Sequence, residues 1–267
     1  MNHKEWLLAD KNIQYRTINA MIKEHIVSEG MCIKEGTHKV EIFLNDHLLS
    51  LKVARKSALK RYVFTGDIVL ENKKLSQSVE SLEELLQILT EIFHINISKR
   101  LYDELIHSRD SLYETYKHFY NRQTLIHQSM KFSKLPDSIN FIAWLQHLQD
   151  SGITDDLSYS ESLVIEGHPT HPLTKTKLPL STNELKLYAP EFEKVIPLNI
   201  MLIEKNHVVT TAINDDQNFI LNQVIPEYRD RLKCYLEPLR LNLNNYRVML
   251  IHPWQYDHTI GEQFEEW

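Results

Sequence analysis

The sequence predicts an α+β fold in two domains, a helix-rich domain over residues 1–155 and a β-rich domain over residues 156–267. Three observations lead to this prediction. Apolar residues alternate along residues 40–53, which is typical of an antiparallel hairpin. Apolar stripes at helical spacing then dominate up to residue 149, and such stripes indicate packed helices. Strand-like apolar runs return in the second half, most clearly at residues 246–251.

The first elements follow from the period of their apolar residues. Residues 13–26 predict a helix that Gly30 is suited to end. Around Asn45-Asp46 the alternating runs predict a two-residue hairpin turn, and residues 62–70 predict a further strand or hairpin. The first domain is therefore expected to carry a small antiparallel sheet. The apolar residues of the helix are Ile18, Met21, Ile22 and Ile26.

Three helices are predicted next. The first begins at Ser81, which has capping-box spacing with Glu84, and continues to about residue 92. The other two cover residues 99–130 and 138–149. Residues 149–160 are polar and predict the domain boundary.

The second domain is predicted to contain strands at residues 196–203 and 208–212, joined through residues 204–207. A helix is expected over residues 217–236, with a kink or break at Pro226 because proline cannot donate a helical hydrogen bond. Tyr246 to Ile251 predict a strongly apolar strand.

Composition excludes several classes. A net charge of −6 argues against a general nucleic-acid binder. No apolar run approaches the roughly 18 residues of a membrane span, and the N-terminus lacks a secretory signal. The two cysteines, Cys32 and Cys234, are isolated, so we expect a reduced cytoplasmic protein. With six glycines and no glycine-rich phosphate loop, side chains would have to contact the phosphates of any nucleotide.

Residues 166–177, the His-Pro segment, are the most informative stretch. They contain two His-Pro pairs, His168-Pro169 and His171-Pro172, followed by Lys175 and Lys177. Each proline restricts both its own backbone and that of the preceding histidine, so the segment is stiff and extended. Two imidazoles and two ammonium groups suit a phosphorylated or carboxylated ligand. The alternatives are a solvated surface connection, or a zinc site for which no third ligand stands at a recognisable spacing.

Two further blocks carry chemistry-bearing side chains. His252-Pro253-Trp254-Gln255 ends the last predicted strand, where a sheet would hold an imidazole and an amide rigidly. Residues 188–192 place Glu191 beside a proline, where it could bind a cation. Either block could equally be an ordinary structural corner.

Together and in this order, the three blocks resemble the NRPS-independent siderophore synthetases of the IucA/IucC type. The family pattern G-H-P-x-H-P-x-x-K-x-R-x-G is matched from Gly167, its Y-x-P-E-F block at residues 188–192, and its H-P-W-Q block at residues 252–255. The resemblance implies a thumb-like first domain and a fingers-like, nucleotide-binding second domain. It implies that ATP, with Mg²⁺, adenylates a citrate-like carboxylic acid, which a polyamine or amino-acid-type nucleophile then attacks.

Carried over residue by residue, the resemblance makes His171 and Lys175 catalytic. His168, Lys177, His252 and Gln255 would bind the cofactor, and no protein metal ligand is implied. Two positions depart from the family pattern: Lys177 stands where arginine is usual, which replaces a bidentate fork with a point charge, and Pro179 stands where glycine is usual. These departures suggest a subgroup with its own acid or amine preference.

Length separates the chain from the family it resembles. Family members are about twice as long, and their Ser-x-Arg-Thr phosphate-binding block, which follows H-P-W-Q, does not occur here. We therefore expect an N-terminal portion that cannot complete adenylation alone, whose full-length form is a homo-oligomer. Two other classes remain open: a binding or assembly module that needs a second chain, and a metal-dependent hydrolase built on His168 and His171.

Overall fold

The computed structural model describes residues 3–57, 61–130, 161–167, 171–175, 180–192, 196–207 and 220–256. The chain divides into two compact units, Met1–Lys194 and Val195–Trp267. Helices combined with a small antiparallel sheet confirm the predicted α+β class. The predicted boundary between residues 155 and 156 lies outside the described residues and stays a prediction. The predicted helix 138–149 and strand 208–212 also lie outside them.

The sheet of the first unit has five antiparallel strands in sequential order: β1 (Cys32–Glu35), β2 (Lys39–Leu44), β3 (His47–Lys56), β4 (Tyr62–Glu71) and β5 (Ser76–Ser78). The predicted hairpin is confirmed, since Leu44 pairs with His47 across the turn and Asn45 takes a positive φ of 52°. Strands β1 and β5 were not predicted. They are short and mostly exposed, so no buried face marks them with an apolar period.

Helix α1 (His3–Lys23) begins ten residues before the predicted start and ends three residues before the predicted end. Its last turn closes as a Schellman motif. His25 has a φ of 52°, and the amide of Ile26 donates to the carbonyl oxygen of Met21 at 2.9 Å. The positive φ of His25 ends the helix before Ile26, and Gly30 therefore plays no part in the stop.

Helices α2 (Leu82–Glu91) and α3 (Lys99–Met130) have the predicted bounds to within one residue. Ser81 caps α2 by accepting from the amide of Glu84. Helix α1 contributes to two hydrophobic clusters. The first is shared with the sheet and α2, and the second with α2 and α3. The α1 side chains in the first cluster are Ile18, Met21 and Ile22, and those in the second are Ala9 and Ile13.

Helix α4 (Thr182–Tyr188) completes the described helices of the first unit and is followed by a 3-10 turn over Pro190–Phe192. Residues on either side of Gly167 also pack there, because Ile165 and Leu173 contact the cluster that α1 shares with α3. The described parts of the His-Pro segment, residues 166–167 and 171–175, thus belong to the first unit.

In the second unit, β6 (Asn199–Glu204) pairs antiparallel with β7 (Tyr246–Ile251). The bounds of β7 are those predicted. The predicted helix over 217–236 is interrupted at Pro226 as expected: a π-turn covers Ile220–Val224 and helix α5 covers Tyr228–Leu236. A short helix α6 (Pro253–Gln255) follows β7. None of the helices in the described ranges combines the length and the apolar character of a membrane span.

Candidate functional site

Lys175 and Glu191 form an ion pair that is closed to solvent. Only 3% of Lys175 and 2% of Glu191 is exposed, and Nζ of Lys175 lies 2.8 Å from Oε1 of Glu191. The same ammonium donates to the carbonyl oxygen of Val164 at 2.9 Å. The amide of Lys175 donates to Oγ of Ser108, on α3, at 3.2 Å. The pair therefore joins two of the three sequence blocks inside the first unit.

Helix α4 determines where Glu191 lies. Ser181 and Glu184 form a reciprocal capping box that fixes the start of the helix. After the helix ends, the 3-10 turn buries Phe192 against Leu185 and Ala189. Glu191 sits in the middle of that turn and is directed inward, where burial of a carboxylate requires a charged partner. Lys175 is that partner.

His171 is exposed, but two contacts hold its position. Its carbonyl oxygen accepts from Nη1 of Arg16 at 3.1 Å, and its ring Nδ1 accepts from the amide of Leu173 at 3.1 Å. An imidazole whose Nδ1 accepts a hydrogen bond carries its proton on Nε2. The ring therefore presents an N–H donor at Nε2.

The block at the end of β7 repeats this local geometry. Nδ1 of His252 accepts from the amide of Trp254 at 3.1 Å and so caps α6. In both blocks the residue after the histidine is proline, which has no N–H, so the next amide along the chain is the one that reaches the ring. When the amide of the residue after proline donates to Nδ1 in this way, the proton of the neutral histidine ring lies on Nε2. His252 is half-buried and Gln255 is exposed.

A partly buried polar network supports the start of the His-Pro segment. The hydroxyl of Tyr116, on α3, donates to Oε1 of Glu166 at 2.7 Å and accepts from Nδ2 of Asn12 at 3.1 Å. Nη2 of Arg16 lies 3.4 Å from Oε2 of Glu166. Burial raises the pKa of Glu166, but hydrogen bonds from Tyr116 and Asn12 and the charge of Arg16 outweigh burial and hold that pKa below its ordinary value. Burial raises the pKa of Tyr116, which stays neutral and donates.

The lowered pKa of Glu166 predicts an acid-sensitive contribution to stability. A carboxyl group whose pKa is lower in the folded state stabilises the fold above its unfolded pKa, roughly 4.3, and loses that contribution as the pH falls through its folded pKa. We expect Glu166→Gln to make the unfolding free energy fall less steeply below about pH 4.5, measured by urea denaturation across pH. Tyr116→Phe should have the same effect on the unfolding free energy in this pH range, but a smaller one. If the unfolding free energy fell equally steeply with pH in Glu166→Gln and in the wild type, the lowered pKa of Glu166 would be contradicted.

The predicted site residues are distributed as follows. His171 and Lys175 lie in the first unit, and His252 and Gln255 in the second. His168 and Lys177 lie outside the described residues. In this arrangement the ammonium of Lys175 is engaged by Glu191, so contact with a phosphate would require it to exchange that partner. The assignment of these six residues to catalysis or ATP binding stays a prediction.

The sequence reading missed the residues that hold the His-Pro segment from outside it. Arg16 and Asn12 on α1 and Ser108 and Tyr116 on α3 all contact it or its network. Only one sequence signal was available: Asn12 and Arg16 are polar residues four positions apart, which is helical spacing. Within the described ranges no three His, Cys, Asp or Glu side chains come together as a metal-binding group, and His168 of the zinc interpretation lies outside those ranges.

Comparison with known proteins finds similarity to siderophore synthetases. Residues 156–267 match the IucA / IucC family. Staphyloferrin A synthase of Staphylococcus aureus (strain NCTC 8325 / PS 47) is 58% identical over 267 residues, which is 100% of this chain and 46% of that protein. D-ornithine–citrate ligase of the same organism is 22% identical over 98% of this chain and 40% of its own length. The chain thus spans about half the length of these curated relatives or less.

Solved structures share the fold. Petrobactin biosynthesis protein AsbB from Bacillus anthracis str. Sterne superposes with a TM-score of 0.64 at 15% identity, over 98% of this chain and 40% of AsbB. ATP-bound aerobactin synthetase IucA from a hypervirulent pathotype of Klebsiella pneumoniae has a TM-score of 0.50 at 16% identity, over 96% of this chain and 40% of IucA. At these identities the likeness is one of fold.

Proposed function

We propose that the chain belongs to the IucA/IucC family, whose model matches residues 156–267, and that it forms part of an ATP-dependent ligase of siderophore biosynthesis. The reaction joins a citrate-like carboxylic acid to an amine or hydroxyl group. A carboxylate oxygen of the acid attacks the α-phosphorus of ATP and releases pyrophosphate. The nucleophile then attacks the acyl carbon of the adenylate, and AMP leaves as the new amide or ester bond forms.

The observation that carries this proposal is the 58% identity to staphyloferrin A synthase along the whole of this chain. The name of a second relative, D-ornithine–citrate ligase, supports an acid of the citrate class and an amino-acid-type amine. Because the chain spans about half of these relatives, the activity is proposed for an assembly that also contains the remaining half.

His171 is the group best placed to meet an anion in the described part of the site. Its exposed ring presents Nε2–H, and the fixed tautomer makes it a donor to a phosphate or carboxylate oxygen without reorganisation. His252 is prepared in the same way by Trp254. Lys175, His168, Lys177 and Gln255 keep the roles predicted from the family pattern.

ATP as cofactor is supported by the ATP-bound state of the related aerobactin synthetase IucA. We propose Mg²⁺ as its companion, because a triphosphate in a glycine-poor site needs charge neutralisation beyond the side chains. The cytoplasmic location and the homo-oligomeric full-length form are proposed on the same family premise.

A second candidate function is an assembly module that becomes active only with a partner chain. Large apolar side chains on the second unit favour it: Tyr235 is 69% exposed and Leu239 is 55% exposed. Exposed apolar surface of this kind is typical of protein contacts. The same experiment tests both candidates.

We expect calorimetry with Mg²⁺ to detect ATP binding by a chimera that joins this chain to the part of staphyloferrin A synthase outside the match. The chain alone is expected to bind weakly or not at all. Pyrophosphate release by the chimera should depend on added citrate. If the separate parts regain activity on mixing, the assembly function is supported.

His171→Ala in the chimera should weaken ATP affinity at least about tenfold, because one hydrogen bond to a charged oxygen contributes roughly 1.5–3 kcal/mol. His38→Ala is the matched control, since His38 is an exposed histidine in the turn between β1 and β2, and it should leave the affinity unchanged. No ATP binding by the chimera would refute the proposed function. Tight binding by the short chain would refute its predicted incompetence.

A further inference from the structure

Arg16 is the buried cation that the sequence analysis did not connect with the His-Pro segment. It lies on α1, 155 residues before His171, and 3% of it is exposed. It stands outside the residues that match the family. Within the described structure, its guanidinium spans α1 and the segment.

The contacts of Arg16 use the planar fork of its side chain. Nε donates to Oδ1 of Asn12, one turn earlier on α1, at 2.6 Å. Nη1 donates to the carbonyl oxygen of His171 at 3.1 Å, and Nη2 donates to the carbonyl oxygen of Glu166 at 3.1 Å. One guanidinium therefore binds two carbonyl groups that lie five positions apart in the chain. A lysine cannot reproduce this, because its ammonium is a point donor.

The base of this contact is rigid. Asn12 and Arg16 project from a helix in which nearby Ile13 and Ile18 are fully buried. The guanidinium therefore has little freedom to change position. Burial lowers the pKa of Arg16 below its ordinary value. That ordinary value is so high that the guanidinium stays charged. The charge strengthens hydrogen bonds to carbonyl oxygens.

We infer that Arg16 is a positioning residue of the proposed nucleotide site: it holds His171 at the place and orientation from which the imidazole meets an anion. The inference rests on the proposed function. Arg16 contacts the backbone of His171 and not its ring, so by this inference it acts on an anion through His171. By this inference helix α1 contributes to the nucleotide site, because it carries the residue that positions His171.

The experiment uses Arg16→Lys, which keeps the charge and loses the fork. Hydrogen–deuterium exchange of the whole chain should show at least about tenfold faster exchange in peptides covering residues 163–175, with the β2–β3 hairpin unchanged. In the chimera, the dissociation constant for ATP–Mg²⁺ should rise about tenfold. If Arg16→Lys fails to fold, Arg16→Gln, which places no charge in the buried position, is measured in the same way.

Two controls separate the inference from simpler explanations. Glu166→Ala removes the carboxylate but leaves both carbonyl contacts, so exchange in this region should rise far less than in Arg16→Lys. Arg100→Met removes an exposed arginine of α3 whose side chain is 83% accessible and should change neither readout.

Unchanged exchange in residues 163–175 would overturn the inference, and so would faster exchange with unchanged ATP affinity. Wild-type chimera that binds no ATP would overturn the proposed function. The exchange measurement needs no nucleotide, so it would then still decide whether Arg16 holds the segment.

Discussion

Glu191→Ala is expected to lower the free energy of unfolding by about 3–5 kcal/mol, because it leaves the ammonium of Lys175 buried without its counter-charge. The pair is almost fully closed to solvent, at 3% and 2% exposure. The carbonyl oxygen of Val164 also accepts from the ammonium, at 2.9 Å, but a neutral oxygen does not replace the charge of a carboxylate. Denaturant titration of the whole chain measures the loss.

Two further variants separate the effect of burial on stability from the effect of charge. Replacing both partners, as in Lys175→Met with Glu191→Leu, should restore most of the lost stability, since a well-packed apolar pair often equals a buried ion pair. Asp103→Ala removes one partner of an exposed pair on α3, where the side chains are 91% and 59% accessible, and should change stability by less than about 0.5 kcal/mol. A loss for Glu191→Ala as small as that for Asp103→Ala would contradict the expectation.

Gly167→Ala is expected to destabilise the His-Pro segment for two reasons that a control can separate. Gly167 has a φ of +62°, which costs an L-residue roughly 1–2 kcal/mol. A Cβ at this position would also stand 2.7 Å from the carbonyl oxygen and 3.0 Å from Oγ1 of Thr174, which is closer than any ordinary contact. The two ends of the segment would have to move apart.

Gly66→Ala is the matched control. Gly66 has a φ of +76°, but a Cβ there meets nothing within 4 Å, so it reports the backbone cost alone. We expect Gly167→Ala to lose about 1–3 kcal/mol more than Gly66→Ala and to weaken ATP binding by the chimera. Equal losses in both variants would show that the segment relaxes without cost.

Predictions from short sequence patterns were confirmed for elements that depend on residues close together in the chain. The bounds of α3 and β7 follow from apolar periods within each element. The turn at Asn45 follows from a residue that tolerates a positive φ. The interruption at Pro226 follows from its missing N–H. Local rules failed at β1 and β5, whose pairing depends on neighbours along the sheet, and at α1, whose first ten residues carry a weaker apolar stripe than the rest.

The sequence by itself determined the resemblance to a family, the His-Pro pairs and the residue types available to an anion, because each of these depends on neighbours within a few positions. Only the tertiary structure decided the partners. Lys175 meets Glu191, 16 residues away, and Arg16 meets His171, 155 residues away. A charge that is buried must find its counter-charge or carbonyl wherever folding brings one, and nothing in the spacing along the chain identifies which group that will be.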